Sequence, residues 1–507
     1  MRERITYVQK LGDSLEPSAV TVDGGALRGP EVHAVREDRL TIALDELPLG
    51  LQTLVTGTRD LHIRWVGAAA YEAVSPLLAR LPPGFHLFFT PGKDDAVSNK
   101  LCSTLGDIFG DISCSTPAES FTSIHKDRFQ YFQELGNLSH FVQYAKDQLC
   151  RPTDASCPAR LDTLSKAASL DISYDTAQKV LRVTALGPYQ RQRVHATSHP
   201  NLRTEVGILS TDRPKTLEAH EIGISGLLTV LGQDSKPSPT MFSFASRHRD
   251  VKSAFSAQFL APTGLHPTLQ LRLTSNNPFP SPSGDDDDTT CTPYAYLTLP
   301  RTIFADKYQL ADPLFLASKN LTALRHTTQP VDLEAPEYVM SQWGSAVLLQ
   351  LSPPPPPPSQ SQEKRREEEE WTAEIPLHLR YLAPTRGGYS TVSVPYPAVF
   401  WACEPQQQGA VAFPPNPFEN GDLGYDGLFE EGTVFWHVEP RPVEGGRDGL
   451  LVSRVRVPVL DLERAGWVNA GTAAAVVVGF AWVVWKLVGV CLRGGVEGER
   501  ERVKKRQ

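Results

Sequence analysis

The sequence predicts a mainly β protein: a region with an antiparallel β-sandwich, an N-terminal α/β or α+β domain, and one C-terminal transmembrane helix. Short runs in which every second residue is apolar are typical of half-buried strands. The 42 prolines against 3 methionines indicate short segments punctuated by turns. An apolar stretch near the C-terminus is long enough to cross a bilayer.

The N-terminal domain is expected to cover residues 1–215. Strand-like runs occur at 61–65 (LHIRW) and 86–90 (HLFFT). Helix-like stretches occur at 71–81 and 135–149. Because the two patterns alternate, this domain is predicted to be α/β or α+β.

The second domain is expected to cover residues 216–465. Every second side chain is apolar in the segments 269–273, 375–381 and 451–457. Such segments, separated by Pro, Gly and Asn turns, predict an antiparallel sandwich packed just outside the membrane.

Two insertions interrupt the second domain. Residues 276–290 are rich in Pro, Ser and Asp, and residues 353–370 begin with six prolines and continue as SQSQEKRREEEE. These compositions are typical of disordered loops. The proline run could also be an SH3-type ligand, but those receptors are cytosolic, so a solvated spacer is favoured.

Residues 467–492 are predicted to form the transmembrane helix. The only charge between 468 and 490, Lys486, lies late enough to snorkel toward the headgroups. The small residues Gly471, Ala474 and Gly479 permit close packing of another helix. A buried core helix is the alternative, and the length argues against it.

Charges beside the helix predict its orientation. The tail, residues 493–507, carries six basic residues against three just before the span, so the tail is expected in the cytosol and the body in the lumen. Sequons at Asn137 and Asn320 are usable only on that lumenal side, although two are close to chance. Residues 1–14 lack the apolar stretch of a secretory signal, so a cytosolic body on a tail-anchor-like helix is the rival.

Six of the seven cysteines precede the span, an even number that suits disulfides in an oxidising compartment. Cys102 with Cys114 and Cys150 with Cys157 are close enough to pair locally, which leaves Cys291 with Cys403. Six cysteines allow fifteen pairings, so these three stay one possibility. Several of them could instead be small buried hydrophobic residues.

No motif predicts catalysis, a cofactor or a metal. The net charge of −8 argues against nucleic acid as a partner. Four aspartates at 285–288 contain the Asp-x-Asp spacing of many sugar-nucleotide transferases, but in this low-complexity segment solvated charge is favoured. The His-Glu pair at 220–221 opens like a zinc-protease helix, yet Ile224 occupies the position of the second ligand. Single histidines such as His378 and His437 are interpreted as structural.

Several segments, taken in order and followed by the single span, resemble the PIG-X family, including its fungal members, the protease B non-derepressible proteins. In the second half they are GLHPTL (264–269), YLTLP (296–300), IFADKYQL (303–310), DLEAP (332–336), WGS (343–345), IPLHLRY (375–381), FWAC (400–403), NPF (416–418) and LGYDGL (423–428). The opening resembles the fungal members in MRERI (1–5), REDRLT (36–41), LDELP (44–48) and LHIRW (61–65).

The resemblance implies an endoplasmic-reticulum membrane protein with a lumenal body and no cleaved signal. It implies a required, non-catalytic subunit of glycosylphosphatidylinositol (GPI) mannosyltransferase I, which adds the first α-1,4-mannose, with a multispanning catalytic partner. Cys291 and Cys403 correspond to family cysteines and are expected to bridge. No catalytic residue is carried over.

Two other functions are kept as alternatives. Fungal members of the family are linked to the processing of vacuolar protease precursors, which implies a general lumenal chaperone for secretory and vacuolar glycoproteins. A lumenal glycosyltransferase or hydrolase that uses residues 285–288 is the third hypothesis.

Overall fold

The computed structural model describes residues 1–23, 25–92, 95–125, 127–150, 154, 156–199, 202–213, 217, 221–274, 289–329, 331–353, 371–405, 413–414, 416–418, 423–443 and 449–504. These residues form two compact units, one comprising Met1–Tyr381 with Ser393–Val455 and the other Leu382–Val392 with Arg456–Gln507. Most of the two expected insertions, 276–290 and 353–370, lies outside the described residues.

The mainly β prediction is confirmed, and the N-terminal half supplies the larger sheet. Its strands are β1 (Arg2–Gln9), β2 (Thr21–Asp23), β3 (Ala26–Ala43), β4 (Thr58–Val66), β5 (Gly84–Pro91), β6 (Thr122–His125), β7 (Arg128–Gln133), β8 (Ser169–Asp175), β9 (Val180–Leu186), β10 (Gln190–Thr197), β11 (Arg203–Asp212), β12 (Glu221–Val230) and β13 (Ser238–Ala245). The strand order is β13-β12-β11-β1-β3-β9-β8-β4-β5-β7-β6, with β2 and β10 added on β3. β1 pairs with β11 in parallel, whereas β11 and β12 are antiparallel.

Helices pack on this sheet through apolar stripes. They are α1 (Leu49–Thr56), α2 (Asp95–Phe109), α3 (Pro117–Ser120), α4 (Ser139–Leu149) and α5 (Ser156–Asp162). In α2, Leu101, Leu105 and Ile108 are buried at helical spacing. The ring of Phe109 lies 4.8 Å from that of Phe85 in β5 and 5.2 Å from that of Phe141 in α4.

One sequence prediction in this half is wrong. Residues 71–81 form no helix, because Pro76 has no N–H to donate in the middle of the stretch and its ring would clash with the preceding turn. The helix expected at 135–149 is present as α4 and begins at Ser139.

The second half forms a smaller sheet and two strand pairs. The strands are β14 (His248–Phe259), β15 (Thr268–Thr274), β16 (Thr289–Pro300), β17 (Ile303–Phe304), β18 (Leu321–Thr327), β19 (Gly344–Leu351), β20 (Trp371–Pro376), β21 (His378–Leu379), β22 (Tyr389–Pro395), β23 (Ala398–Pro405), β24 (Val434–Pro440) and β25 (Val452–Pro458), with the short helix α6 (Pro313–Ala317). Eight strands have the order β18-β19-β16-β23-β24-β14-β15-β20, and β17 pairs with β21 and β22 with β25.

The sandwich prediction is only partly confirmed, because these eight strands belong to one curled sheet. Its two end strands approach each other: the Glu374 backbone N–H in β20 donates to the carbonyl of Lys319, just before β18, at 3.0 Å. The Asn320 side-chain amide donates to the Thr372 carbonyl at 2.7 Å. The described strands therefore close toward a barrel rather than form two separate facing sheets.

The core of the first unit joins its two halves. The boundary expected at residues 215 and 216 lies outside the described residues, and β11 and β12 on either side of it pair with each other. Buried side chains from β4, β5 and α2 share one cluster with Tyr296, Phe400 and Phe435 of the second half.

The second unit contains the long helix α7 (Ala465–Lys504). Within the described chain, Leu462–Leu492 is the one stretch long and apolar enough to cross a membrane, and none of it is buried in the protein. The predicted span, 467–492, lies inside this stretch. The segment before the predicted span forms backbone hydrogen bonds with a turn. The Thr385 N–H donates to the Leu460 carbonyl at 3.1 Å, and the Leu462 N–H donates to the Thr385 carbonyl at 3.2 Å.

Candidate functional site

The described residues hold no metal centre: no group of three or more His, Cys, Asp or Glu side chains is placed to bind an ion there. The aspartates at 285–288 and His220 lie outside the described residues. Ile224, which stands where the zinc-protease pattern needs a ligand, is fully buried in β12. The two weak metal patterns of the sequence therefore gain no support from the part of the chain that the structure describes.

His437 lies in an aromatic core with His248 of β14. The Nδ1 atom of His248 is 2.9 Å from the Nε2 atom of His437, and both rings are buried against Phe435 and Phe400. Burial, with Arg247 next, lowers the pKa of His248 to about 3. Burial and then His248 lower the pKa of His437 well below its ordinary value. Two neutral rings can share one hydrogen bond, and the pair has no access to a substrate.

His378 lies between buried Leu377 and Leu379 and is itself half-buried. Its Nδ1 atom is 3.0 Å from Nδ1 of His266, and its Nε2 atom is 3.0 Å from Oε1 of Gln309. Burial, followed by the neighbouring His266, lowers the pKa of His378. Its contacts fix the position of the β17–β21 pair, which agrees with a structural role.

A buried polar group in the larger sheet was missed by the sequence analysis. In β4, His62 and Arg64 project from the same face between apolar residues, and Asp171 of β8 lies opposite Arg64. Nε2 of His62 is 3.0 Å from Oδ1 of Asp171, and Nη1 of Arg64 is 3.7 Å from it. Burial would raise the pKa of Asp171, but Arg64 and His62 lower it below its ordinary value. The strand-like run LHIRW (61–65) contains His62 and Arg64 at alternate positions, which indicates that the two side chains share a face. The spacing of residues in the sequence could not identify β8 as the strand that supplies their partner, Asp171.

The six body cysteines are joined in three disulfides in the structure. They are Cys102–Cys114, Cys150–Cys157 and Cys291–Cys403. Cys291 and Cys403 face each other in register on β16 and β23, with their Cα atoms 4.0 Å apart. The third bond therefore links two adjacent central strands.

Both sequon asparagines are exposed. Oδ1 of Asn137 accepts a hydrogen bond from the Ser139 N–H at 2.9 Å, just before α4. Asn320 has a φ of 55°, and its amide nitrogen is bonded to the end strand β20 as described above. Asn320 thus has a structural contact through the same atom that a glycan would occupy, whereas Asn137 is bonded through its oxygen.

The transmembrane helix presents a ridge of small residues to its surroundings. At roughly 100° per residue, Gly471, Ala475 and Gly479 follow one another at i, i+4 and i+8 on one face. Ala474, the third small residue proposed from the sequence, lies beside this ridge. A Cβ atom added at Gly471 or Gly479 would meet no described atom within 4 Å. The ridge is therefore uncovered in the described chain and has the spacing of a close helix contact.

The first unit also carries an exposed apolar surface, which we call the aromatic patch. Its members are Leu265, Tyr308, Leu314, Tyr338, Val339 and Tyr381, each 48% to 83% exposed. Backbone hydrogen bonds connect the segments that carry Leu265, Tyr338 and Tyr381: the Leu379 N–H donates to the Leu265 carbonyl at 2.8 Å, and the Glu337 N–H donates to the Tyr381 carbonyl at 2.9 Å. Clustered exposed apolar side chains commonly mark interaction sites.

Known proteins similar to this chain decide its family. The family model described as PIG-X / PBN1 matches residues 262–488. A relative from Neurospora crassa, "Protein pbn1", is 57% identical over 507 residues and covers 98% of this chain and 97% of its own. The chain belongs to the PIG-X / PBN1 family.

Other family relatives also extend over nearly the whole length. "Protein PBN1" of Gibberella zeae is 45% identical, with 97% of this chain and 96% of its own covered. "Protein pbn1" of Emericella nidulans is 38% identical, with 99% and 98% covered. The match to the family model includes the whole aromatic patch and the membrane stretch as far as residue 488, whereas the full-length relatives also include the N-terminal half.

Proposed function

We propose that this chain is an essential, non-catalytic subunit that stabilises GPI mannosyltransferase I in the endoplasmic-reticulum membrane. The observation that carries the proposal is the spacing of the small residues Gly471, Ala475 and Gly479 along one face of a single membrane helix. Such a ridge allows the close backbone approach on which helix association in lipid depends. Membership of the PIG-X / PBN1 family supports the mannosyltransferase as the complex involved.

The nature of the reaction supports an accessory role. Donor and acceptor of this mannosyl transfer are both lipid-linked, so the reaction needs polar groups organised at the membrane. A single apolar helix cannot enclose such groups, because polar atoms in lipid require partners from several helices or a cavity. Catalysis is therefore assigned to a multispanning partner.

The orientation is part of the same proposal. The basic tail, 493–507, is placed in the cytosol, and the body with Asn137, Asn320 and the disulfides is placed in the lumen. Disulfides persist in oxidising compartments, which supports this side for the body. A subunit that binds only the folded partner stabilises it by mass action.

A matched pair of helix variants tests the complex. Ala475→Leu places bulk on the ridge, whereas Ala473→Leu adds the same bulk roughly 160° away around the helix. Overpacking of a close contact costs about 1–3 kcal/mol, so Ala475→Leu is expected to recover at least about fivefold less mannosyltransferase. Quantitative mass spectrometry after purification in mild detergent measures the amount bound.

The same purification experiment also tests the control variant and the alternative function. Ala473→Leu should retain the partner, and equal losses in both variants would contradict a specific ridge contact. The aromatic patch favours a second candidate, a lumenal chaperone that binds apolar segments of many glycoproteins. A broad set of secretory proteins without a stoichiometric mannosyltransferase would support that candidate and contradict the subunit.

A further inference from the structure

The second unit holds a turn against the point where the membrane span begins. Leu462, which precedes the predicted span at 467–492, donates its N–H to the Thr385 carbonyl at 3.2 Å. The Val459 N–H donates to Gly388 at 3.0 Å, on the other side of the turn. Because Glu463 and Arg464 separate Leu462 from the apolar residues that follow, we place the turn at 385–389 at the bilayer surface.

Backbone contacts give this turn a defined conformation. Gly387 and Gly388 have φ values of 84° and 73°, which side-chain-bearing residues rarely adopt. Oδ1 of Asp461 accepts hydrogen bonds from the N–H groups of Gly387 at 3.3 Å and Glu463 at 3.1 Å. The carboxylate of Asp461 is thus engaged by backbone donors, and these bonds hold the backbone next to Arg386.

Three arginines of this unit, which we call the arginine collar, are exposed beside the span: Arg386, Arg456 and Arg464. The guanidinium carbon of Arg456 lies 3.8 Å from the ring centroid of Tyr389, and this ring is 51% exposed. Stacking on an aromatic face orients a guanidinium and leaves its N–H edge available. None of the three forms an ion pair with any residue that the structure describes.

Apolar side chains adjoin the collar on the membrane side. Leu460, Leu462 and Trp467 are 42%, 49% and 84% exposed. An interfacial tryptophan prefers the headgroup level, where apolar and polar surroundings meet. A ligand of the collar therefore needs a negative head beside an apolar tail.

We propose that the arginine collar binds the phosphate of an anionic phospholipid headgroup at the bilayer surface. Guanidinium groups bind phosphate oxygens through paired N–H bonds. A zwitterionic choline headgroup would bring its own cation toward three arginines, so an anionic headgroup such as that of phosphatidylinositol is selected. This binding needs no partner protein, and its test is independent of the proposed subunit function.

Photolabelling of the purified full-length protein in phosphatidylcholine nanodiscs tests the collar. The probe is phosphatidylinositol with a photoreactive acyl chain, and the variant is Arg386→Gln/Arg456→Gln/Arg464→Gln. A basic residue near an anionic surface contributes about 1 kcal/mol, so the triple variant should lose at least about fivefold in labelling. The control, Arg191→Gln/Arg203→Gln/Arg441→Gln, removes the same charge from side chains 54% to 69% exposed on the first unit and should label normally.

Each other outcome has a defined meaning. Unchanged labelling of the collar variant, or an equal loss in the control, would overturn the proposal. Equal labelling by a phosphatidylcholine probe would overturn the anionic selectivity, and full competition by millimolar inorganic phosphate would show a site for free phosphate instead. Tyr389→Leu keeps every charge and removes the stacking surface, so a partial loss is expected even if the triple variant folds poorly.

Discussion

At the residue scale, the buried pair of His248 and His437 makes stability depend on pH. The folded-state pKa values of both imidazoles are lowered, that of His248 to about 3, whereas in the unfolded chain each titrates near about 6.5. Below that pH the unfolded chain binds protons that the folded protein does not. The two neutral imidazoles therefore contribute fully to the free energy of unfolding above about pH 6.5, and this contribution decreases as the pH falls toward 3.

We predict that the double variant His248→Gln/His437→Gln has a flatter pH profile of stability than the unmodified protein. Each imidazole contributes a slope of up to about 1.4 kcal/mol per pH unit in this range. Thermal unfolding in mild detergent between about pH 7 and pH 5 measures the difference. His33→Gln alters an exposed ring and should leave the slope unchanged; an equally steep profile in the double variant would contradict the prediction.

The sequence identified some polar positions of the core and not their partners. Alternation placed His378 between two inward leucines, and the structure buries Leu377 and Leu379 as expected. His62 and Arg64 follow the same alternation, yet Asp171 lies 109 residues after His62 along the chain. Strand pairing at that separation leaves no local pattern, so a single sequence could not predict the buried ion group.

At the element scale, the disulfide between β16 and β23 is expected to matter more than the local ones. Cys291 and Cys403 close a loop of 112 residues, whereas Cys150 and Cys157 close one of 7. The chain-entropy model gives about 4.7 kcal/mol for a 100-residue loop and about 3 kcal/mol for a 15-residue loop. The larger loop restricts the unfolded chain more.

We therefore predict that Cys291→Ala/Cys403→Ala lowers the melting temperature more than Cys150→Ala/Cys157→Ala does. The difference should amount to roughly 2 kcal/mol, measured by thermal or urea unfolding of the detergent-solubilised protein. The two double variants make the same chemical change and serve as controls for each other. Equal destabilisation by the two double variants would contradict the prediction, because it would mean that the Cys291–Cys403 disulfide stabilises the protein no more than the Cys150–Cys157 disulfide does.

Elements were predictable where the pattern was local. LHIRW and HLFFT became β4 and β5, and the apolar run near the C-terminus became α7. The segment 71–81 has helical spacing of its apolar residues, but Pro76 excludes the helix. The curl of the smaller sheet depends on contacts of Lys319 and Asn320 with β20, and no strand pattern encodes such closure.

At the scale of the whole molecule, the two halves of the first unit depend on each other. The indole N–H of Trp343 donates to the Gln130 carbonyl at 2.8 Å, and the Gln130 side chain donates to the Tyr296 hydroxyl at 3.1 Å. The Tyr425 hydroxyl donates to the Arg80 carbonyl at 3.1 Å. These buried groups of the second half have their partners in the first, so the domain boundary expected at 215 stays a prediction that needs a test.

We predict that residues 246–507, expressed without the preceding half, do not fold into a stable protein. Removal of β1–β13 would expose the aromatic side chains around Tyr296 and leave the buried Trp343 N–H without its acceptor, a loss of about 1–3 kcal/mol for that group alone. Protease resistance and a cooperative melting transition measure folding. Co-expression of residues 1–245 as a separate chain should restore protease resistance and the cooperative transition. The two halves are held together by non-covalent contacts, which two separate chains can also form. A cooperative transition of 246–507 alone, at the melting temperature of the full chain, would instead establish the second half as an independent domain and confine the N-terminal half to some other role in the complex.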